Sequence, residues 1–191
     1  SFRKAMIALF VAAMVWMPQM AKAASSIGIS IGTCGANGSN NCTAYFNSST
    51  NCLTIRGTGA MNDYPYDAVS APWHAVSALN YKYCNVVTEI VVEDGITRIG
   101  NNCFHDFPNL TKVTLGSDVQ YIGEAALCNN SNLARIIFSY TKDLLVVGQD
   151  AFFGNTSLLY VYGKCTYNNC IYSNNFSKLE LAPAAMDYPI V

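Results

Sequence analysis

Beyond residue 86 the apolar positions recur with a spacing of 23. Laid over residues 110–132, residues 87–109 place Val87, Ile90 and Val92 on Leu110, Val113 and Leu115. Ile96, Ile99 and Gly100 then fall on Val119, Ile122 and Gly123, and Cys103 and Phe104 on Ala126 and Leu127, without a gap. A third copy starts at Leu133 with Ile136 and Phe138. A two-residue insertion within 139–145 shifts its frame, and Val147, Gly148, Ala151 and Phe152 restore it. A fourth copy opens at Leu158 with Val161 in phase, but Gly163 stands at the third apolar position, so the array is expected to fade there. Apolar residues at the first, fourth and sixth positions, the last two alternating, predict a short strand with one buried face. Gly100, Gly123 and Gly148 each follow Ile or Val, which predicts a turn with positive φ or a close backbone approach. Asn- and Ser-rich stretches at 108–109, 129–132 and 155–157 return the chain to the next strand. One repeat cannot bury its apolar face alone, so stacked copies sharing a core, with capped ends, are expected.

Upstream, residues 42–46 and 52–56 are β-prone runs joined by the turn-rich 47–51, which predicts a hairpin. Residues 71–79 predict a short helix after Pro72. The first 23 residues read as a secretory signal, with Arg3 and Lys4 ahead of an unbroken apolar run over 5–17 and Ala21-Lys22-Ala23 as a small-x-small cleavage site. The run is shorter than the roughly 20 apolar residues a membrane span needs. The start at Ser1 rather than Met implies residues upstream, and no second hydrophobic segment suggests a C-terminal anchor. The expected organisation is a signal at 1–23, an N-terminal capping module at 24–85, repeats at 86–162, and a C-terminal cap or tail at 163–191.

Composition sharpens this. The whole chain has 191 residues, 11 basic and 12 acidic, for a net charge of −1. Removing the signal takes Arg3, Lys4 and Lys22 and no acid, leaving 8 basic residues against 12 acidic ones and a net charge of −4. A mildly acidic surface does not suit nucleic acid, whose phosphates call for a basic face. Low charge at ordinary hydrophobicity also argues against disorder.

The repeat resembles the BspA-like class of leucine-rich repeats, whose pattern runs L-x-x-V-x-I-x-x-x-V-x-x-I-G-x-x-A-F-x-G-C-x-x. The upstream module is similar to that family's usual N-terminal one, in Gly32-Thr33-Cys34-Gly35, in residues 53–61 (LTIRGTGAM) and in Ala71-Pro72-Trp73. The resemblance covers residues 32–162. It departs where Ala44 replaces an aromatic residue, where Phe107, Asn130 and Asn155 replace the repeat-end Cys, and where Cys103 takes an Ala position, so no disulfide pattern carries over. It implies a β-rich leucine-rich-repeat solenoid of three to four repeats of about 23 residues, with an N-terminal β-hairpin cap.

Candidate chemistry is sparse. Secretion makes disulfides the leading use of the eight cysteines. Cys165–Cys170 is the most local pair, Cys34, Cys42, Cys52 and Cys84 allow three pairings, and Cys103 reads as a buried free thiol. His105 and Cys128 hold equivalent positions in adjacent repeats, and Cys103 is expected to point inward if His105 points outward, but two ligands do not close a zinc site. No Cys–His pair comes with an oxyanion hole, and Glu93-Asp94 read as a solvated turn, so neither catalytic residues nor a cofactor or metal are expected. The outward strand positions form ladders: Glu89, Lys112, Arg135 and Tyr160; Val91, Thr114 and Ile137; Thr88, Thr111 and Ala134. Glu89 beside Lys112 predicts a cross-strand ion pair, and exposed Val91 and Ile137 beside Tyr160 predict a binding patch. Sequons stand at Asn37, Asn41, Asn47, Asn109, Asn129, Asn155 and Asn175. The function expected is a secreted or cell-surface binding module for adhesion, contacting an extracellular protein or glycan through Glu89, Val91, Lys112, Thr114, Arg135, Ile137 and Tyr160. The alternatives are a structural spacer or fragment of a longer surface protein and, less favoured, a secreted thiol or metal enzyme.

Overall fold

The computed structural model describes residues 27–66, 69–77, 80, 82–138, 145–158, 160–162 and 180–181. The signal and the Cys165–Cys170 pair lie outside them, as does most of the tail. The strands are β1 (Ile29–Thr33), β2 (Cys42–Asn47), β3 (Cys52–Gly57), β4 (Gly59–Ala60), β5 (Glu89–Val92), β6 (Ile96–Ile99), β7 (Lys112–Leu115), β8 (Tyr121–Ile122), β9 (Arg135–Phe138), β10 (Val146–Val147), β11 (Tyr160–Tyr162) and β12 (Glu180–Leu181). Among the described residues eight of them form one sheet in the order β1-β2-β3-β5-β7-β9-β11-β12, and four form a second in the order β10-β8-β6-β4.

The large sheet changes character along its width. β1, β2 and β3 pair antiparallel, with Cys42 opposite Gly57 and Asn47 opposite Cys52, which is the expected hairpin. From β3 onward every pairing is parallel, and successive repeats meet residue for residue: Ile90 beside Val113, and Val113 beside Ile136. Parallel neighbours need a crossover, and each repeat supplies one by running its first strand in the large sheet and its second (β6, β8 or β10) in the small one. Ile90, Val92, Ile96, Ile99, Val113, Leu115, Val119, Ile122 and Ile136 fill the space between, all essentially inaccessible to solvent. β12 adds to β11 in parallel, so the sheet extends past the expected fading point at Gly163.

One local expectation is corrected and a second is narrowed to one of its two alternatives. The predicted helix at 71–79 is, where described, a single turn closed by the N–H groups of His74 and Ala75 on Ala71 O; Pro72 starts it, and Val76 then bridges to Lys82 in extended conformation. The repeat glycines do not supply positive φ. That conformation falls later in the repeat, at Asn102, Ala125 and Asp150 (φ 52°, 49° and 53°) and again at Asp106, Asn129 and Gly154. Gly123 and Gly148 are instead required by close approach, because a Cβ on Gly123 would sit 2.5 Å from Asn101 N and one on Gly148 2.6 Å from Glu124 N.

One residue of the return segments is less solvated than its polarity suggests. Asn130 is fully buried: its Oδ1 accepts from Phe107 N at 2.8 Å, and its Nδ2 donates to Phe104 O and Leu127 O. Asn155 repeats the motif, accepting from Asn130 N and donating to Leu127 O. These side chains satisfy backbone groups where the chain turns inside the core and no strand partner is available.

Candidate functional site

The sheet register sets the outward face. Glu89, Lys112, Arg135 and Tyr160 are register neighbours across β5, β7, β9 and β11, and Val91, Thr114, Ile137 and Tyr162 form the next column. Both columns reach into the hairpin, where Cys52 and Thr54 of β3 lie beside Glu89 and Val91. The third column begins just before the strands, with Thr111 N–H on Thr88 O and Ala134 N–H on Thr111 O. Lys112 Nζ meets Glu89 Oε1 at 2.8 Å, the expected ion pair. Among the described residues Arg135 has no ion-pair partner and is exposed. Val91 and Ile137 are half-buried rather than exposed, because parallel strands about 4.8 Å apart let neighbouring side chains shield one another.

One end of this face is closed by charge. Arg56 binds Glu93 through two parallel N–H···O contacts of 2.6 and 2.7 Å. Asp94 accepts from both the N–H and the hydroxyl of Ser117, and Asp118 accepts from Gly95 N. Glu93 and Asp94 are therefore ties between neighbouring turns, a role their spacing alone did not reveal. Val91, Glu93, Asp94, Thr114 and Gly116 border a shallow open hollow of about 350 Å³ on this side.

The histidines are where the structure departs furthest from expectation. His105 is buried, as Cys103 is, because the segment between β4 and β5 folds over it. His105 stacks on Tyr66 at 4.5 Å and on His74 at 4.4 Å between ring centroids, and His74 meets Phe107 edge-on. His105 Nδ1 lies 2.9 Å from Asp106 Oδ2, and His74 Nε2 donates to His105 O at 2.8 Å. Tyr66 Oη donates to Asp106 Oδ2 at 3.2 Å and accepts from Asn129 Nδ2 at 2.7 Å. Cys128 is buried beside this group, and its thiol is pushed up to about 11, first by burial and then by the Asp106 charge. A thiol so held in its protonated form is a poor nucleophile. Among the described residues no three His, Cys, Asp or Glu side chains gather as a metal cluster would require.

The six described cysteines are all free thiols. Cys103 is buried as expected, and its Sγ donates to Asn62 O at 3.3 Å. Cys52 lies in the outward Glu89 column, whereas Cys84 lies in the turn Tyr83–Asn85.

His74 makes a pH prediction. Burial, and then the charge of His105, push its imidazole down from 6.5 to about 4; Asp106 opposes the shift and Lys82 adds to it. Among the described residues its Nδ1 has no hydrogen-bond partner, so none of them holds a second proton there. An imidazole that is more acidic in the fold takes up a proton on unfolding between pH 4 and 6.5. Its contribution is complete above about pH 6.5 and is lost as pH falls toward 4. Urea midpoints should therefore drop across that window, and a His74→Gln variant should flatten the slope. An unchanged slope in the variant would assign the acid sensitivity elsewhere.

Comparison with known proteins adds three findings. Residues 75–184 match the BspA type leucine rich repeat region, in six copies. That exceeds the three to four copies expected and extends the array beyond 86–162 on both sides. A leucine-rich repeat protein from Eubacterium ventriosum, known from its crystal structure, is 24% identical, with a TM-score of 0.48. The match covers 78% of this chain and 44% of the other, so the chain spans under half the length of that protein. No curated protein matches the chain. Among the described residues no helix is long and apolar enough to cross a membrane.

Proposed function

The chain belongs to the BspA-type leucine-rich repeat family, and from that premise we propose that it is a secreted or cell-surface binding module, a short solenoid behind an N-terminal cap. The family supports a protein-binding role rather than a catalytic one. The repeats present a regular strand face, and recognition by such a face needs no convergent catalytic group. The observation that carries the reading is the outward column Glu89–Lys112–Arg135. Glu89 and Lys112 neutralise one another, while Arg135, exposed and without an ion-pair partner among the described residues, stands next to the half-buried Val91–Thr114–Ile137 column. Arginine flanking an apolar strip fits a protein partner that brings a carboxylate, since the planar guanidinium pairs with it bidentately. Tyr160 continues the column by register. The apolar leader over residues 5–17 supports export, and the tyrosine- and asparagine-rich composition suits an extracellular surface.

The test is capture of extracellular proteins and glycans on the purified chain, followed by the double variant Lys112→Glu, Arg135→Glu. Binding is expected to fall about tenfold or more, with the fold unchanged by circular dichroism. Unchanged binding would move the site off this face, and retention of glycans alone would replace the protein partner by a sugar. Export is checked separately by sequencing the mature N-terminus, expected at Ala24. The second reading is a spacer within a longer surface protein. The match to less than half of a larger repeat protein is what favours it, and continuing repeats in the complete coding sequence would establish it.

A further inference from the structure

We propose that Cys34 and Cys42 form a cross-strand redox pair that closes to a disulfide on oxidation, fastening the edge strand β1 to the hairpin. β1 and β2 run antiparallel with Gly32 opposite Ala44 and Thr33 opposite Thr43. The next step of that register sets Cys34 against Cys42, and Cys34 N–H donates to Cys42 O at 2.9 Å. Residues directly opposite in an antiparallel pair share a sheet face, at a Cα separation of about 4.5–5.5 Å. That lies inside the span of roughly 4.4–6.8 Å that disulfides bridge. Both side chains are buried on the core face, with Cys42 Sγ 3.4 Å from Thr58 O. Burial raises the pKa of Cys34, and the charge of Cys42 adds to that shift.

The other cysteines are poorer partners. Cys52 is in the outward column beside Glu89, on the opposite sheet face from Leu53 and Ile55. Cys84 follows the Trp73 turn, its N–H on Trp73 O and its Sγ on Asn85 Oδ1. Cys103 is the real competitor, since Cys34 also raises its pKa. The Asn62 peptide stands between those two: Asn62 N–H donates to Cys34 O at 2.9 Å while Asn62 O accepts from Cys103 Sγ.

The oxidant is a small-molecule or protein disulfide. One of the two cysteines, as thiolate, attacks a sulfur of glutathione disulfide, forming a mixed disulfide and releasing one glutathione thiolate. The second cysteine thiolate attacks the protein sulfur of that mixed bond and releases the other glutathione. Two protein thiols are oxidised, one glutathione disulfide is reduced to two thiols, and the protons lost by the cysteines are taken up by the departing thiolates. Burial raises Cys34 to about 12, so little thiolate exists in the closed structure. Exchange therefore proceeds during folding, or when β1, at the edge of the sheet, opens.

The full chain, reduced and unfolded, is refolded in a glutathione redox buffer, and free thiols are then alkylated. Hydroxylamine cleavage at Asn37-Gly38 and chymotryptic cleavage after Phe46 separate Cys34, Cys42 and Cys52 for mass spectrometry. Cys34 and Cys42 are expected to escape alkylation and to appear as one linked peptide pair, with Cys52 and Cys103 alkylated. A Cys34–Cys103 link, or alkylated Cys34, overturns the proposal. In Cys34→Ser, Cys42 should become fully alkylated, and its capture by another cysteine would also overturn the pairing. If that variant does not fold, the wild-type map decides alone. The assay is independent of export, so failure of the secretory reading and failure of this pairing remain distinguishable.

Discussion

Trp73→Ala should lower the unfolding free energy by about 4 kcal/mol, the upper range for deleting a buried aromatic side chain. Trp73 has no solvent exposure and packs on Tyr64 edge-on at 5.9 Å and on Phe104 at 5.1 Å. It therefore joins the segment after β4 to the core of the first repeat. Its indole Nε1 donates to Cys103 O at 2.7 Å, and its own carbonyl receives Cys84 N–H. Truncation removes the packing, opens a cavity and orphans a buried carbonyl together, which is why the cost is large. The measurement is a urea midpoint with the m-value held, because a changed m would signal a different native state. Trp73→Phe keeps most of the packing and loses the hydrogen bond, so it should cost about 1–2 kcal/mol. A loss below about 1 kcal/mol for the alanine variant would show that the segment does not depend on Trp73 for its anchorage.

The second large effect is expected at Gly123→Ala, about 3 kcal/mol despite the addition of a single carbon. The new Cβ would lie 2.5 Å from Asn101 N and 2.6 Å from Gly100 C, both backbone atoms of the preceding repeat. Backbone cannot rotate aside as a side chain can, so the two repeats must separate. The same contact line runs through Glu124 N–H on Asn101 Oδ1 and Gly123 N–H on Ile99 O, which the separation would stretch. Ala125→Gly is the informative control, because Ala125 holds φ 49° where the equivalent residues are Asn102 and Asp150. Glycine removes that left-handed penalty and should raise stability by about 1 kcal/mol. If Gly123→Ala proved neutral and Ala125→Gly destabilising, the repeat turn would have been assigned to the wrong residue.

The repeat was legible in the sequence because its apolar residues recur at fixed positions. Val87, Ile90 and Val92 meet Leu110, Val113 and Leu115 in the alignment, and Ile90–Val113 and Val92–Leu115 are register partners in the sheet. The outward columns followed from the same register, and with them the Glu89–Lys112 pair. The array's far end was less readable, because one glycine at Gly163 broke the apolar pattern although the sheet continues to β12. Asn130 was hidden by its polarity. It shares the repeat-end position with Phe107, and a polar residue at an apolar register was the available sign that it is buried.

The sequence by itself determined which side chains face inward and which strands stack, since a strict period leaves one register that buries every Ile, Val and Leu of a column. Only the tertiary structure decided what crosses between segments far apart in the chain. Tyr66 and His74 cover His105, and Asn62 stands between Cys34 and Cys103. None of these contacts has a period, and each depends on how the segment between β4 and β5 packs. Periodicity reports the environment that a residue shares with its copies, whereas these residues act through neighbours that have no copies.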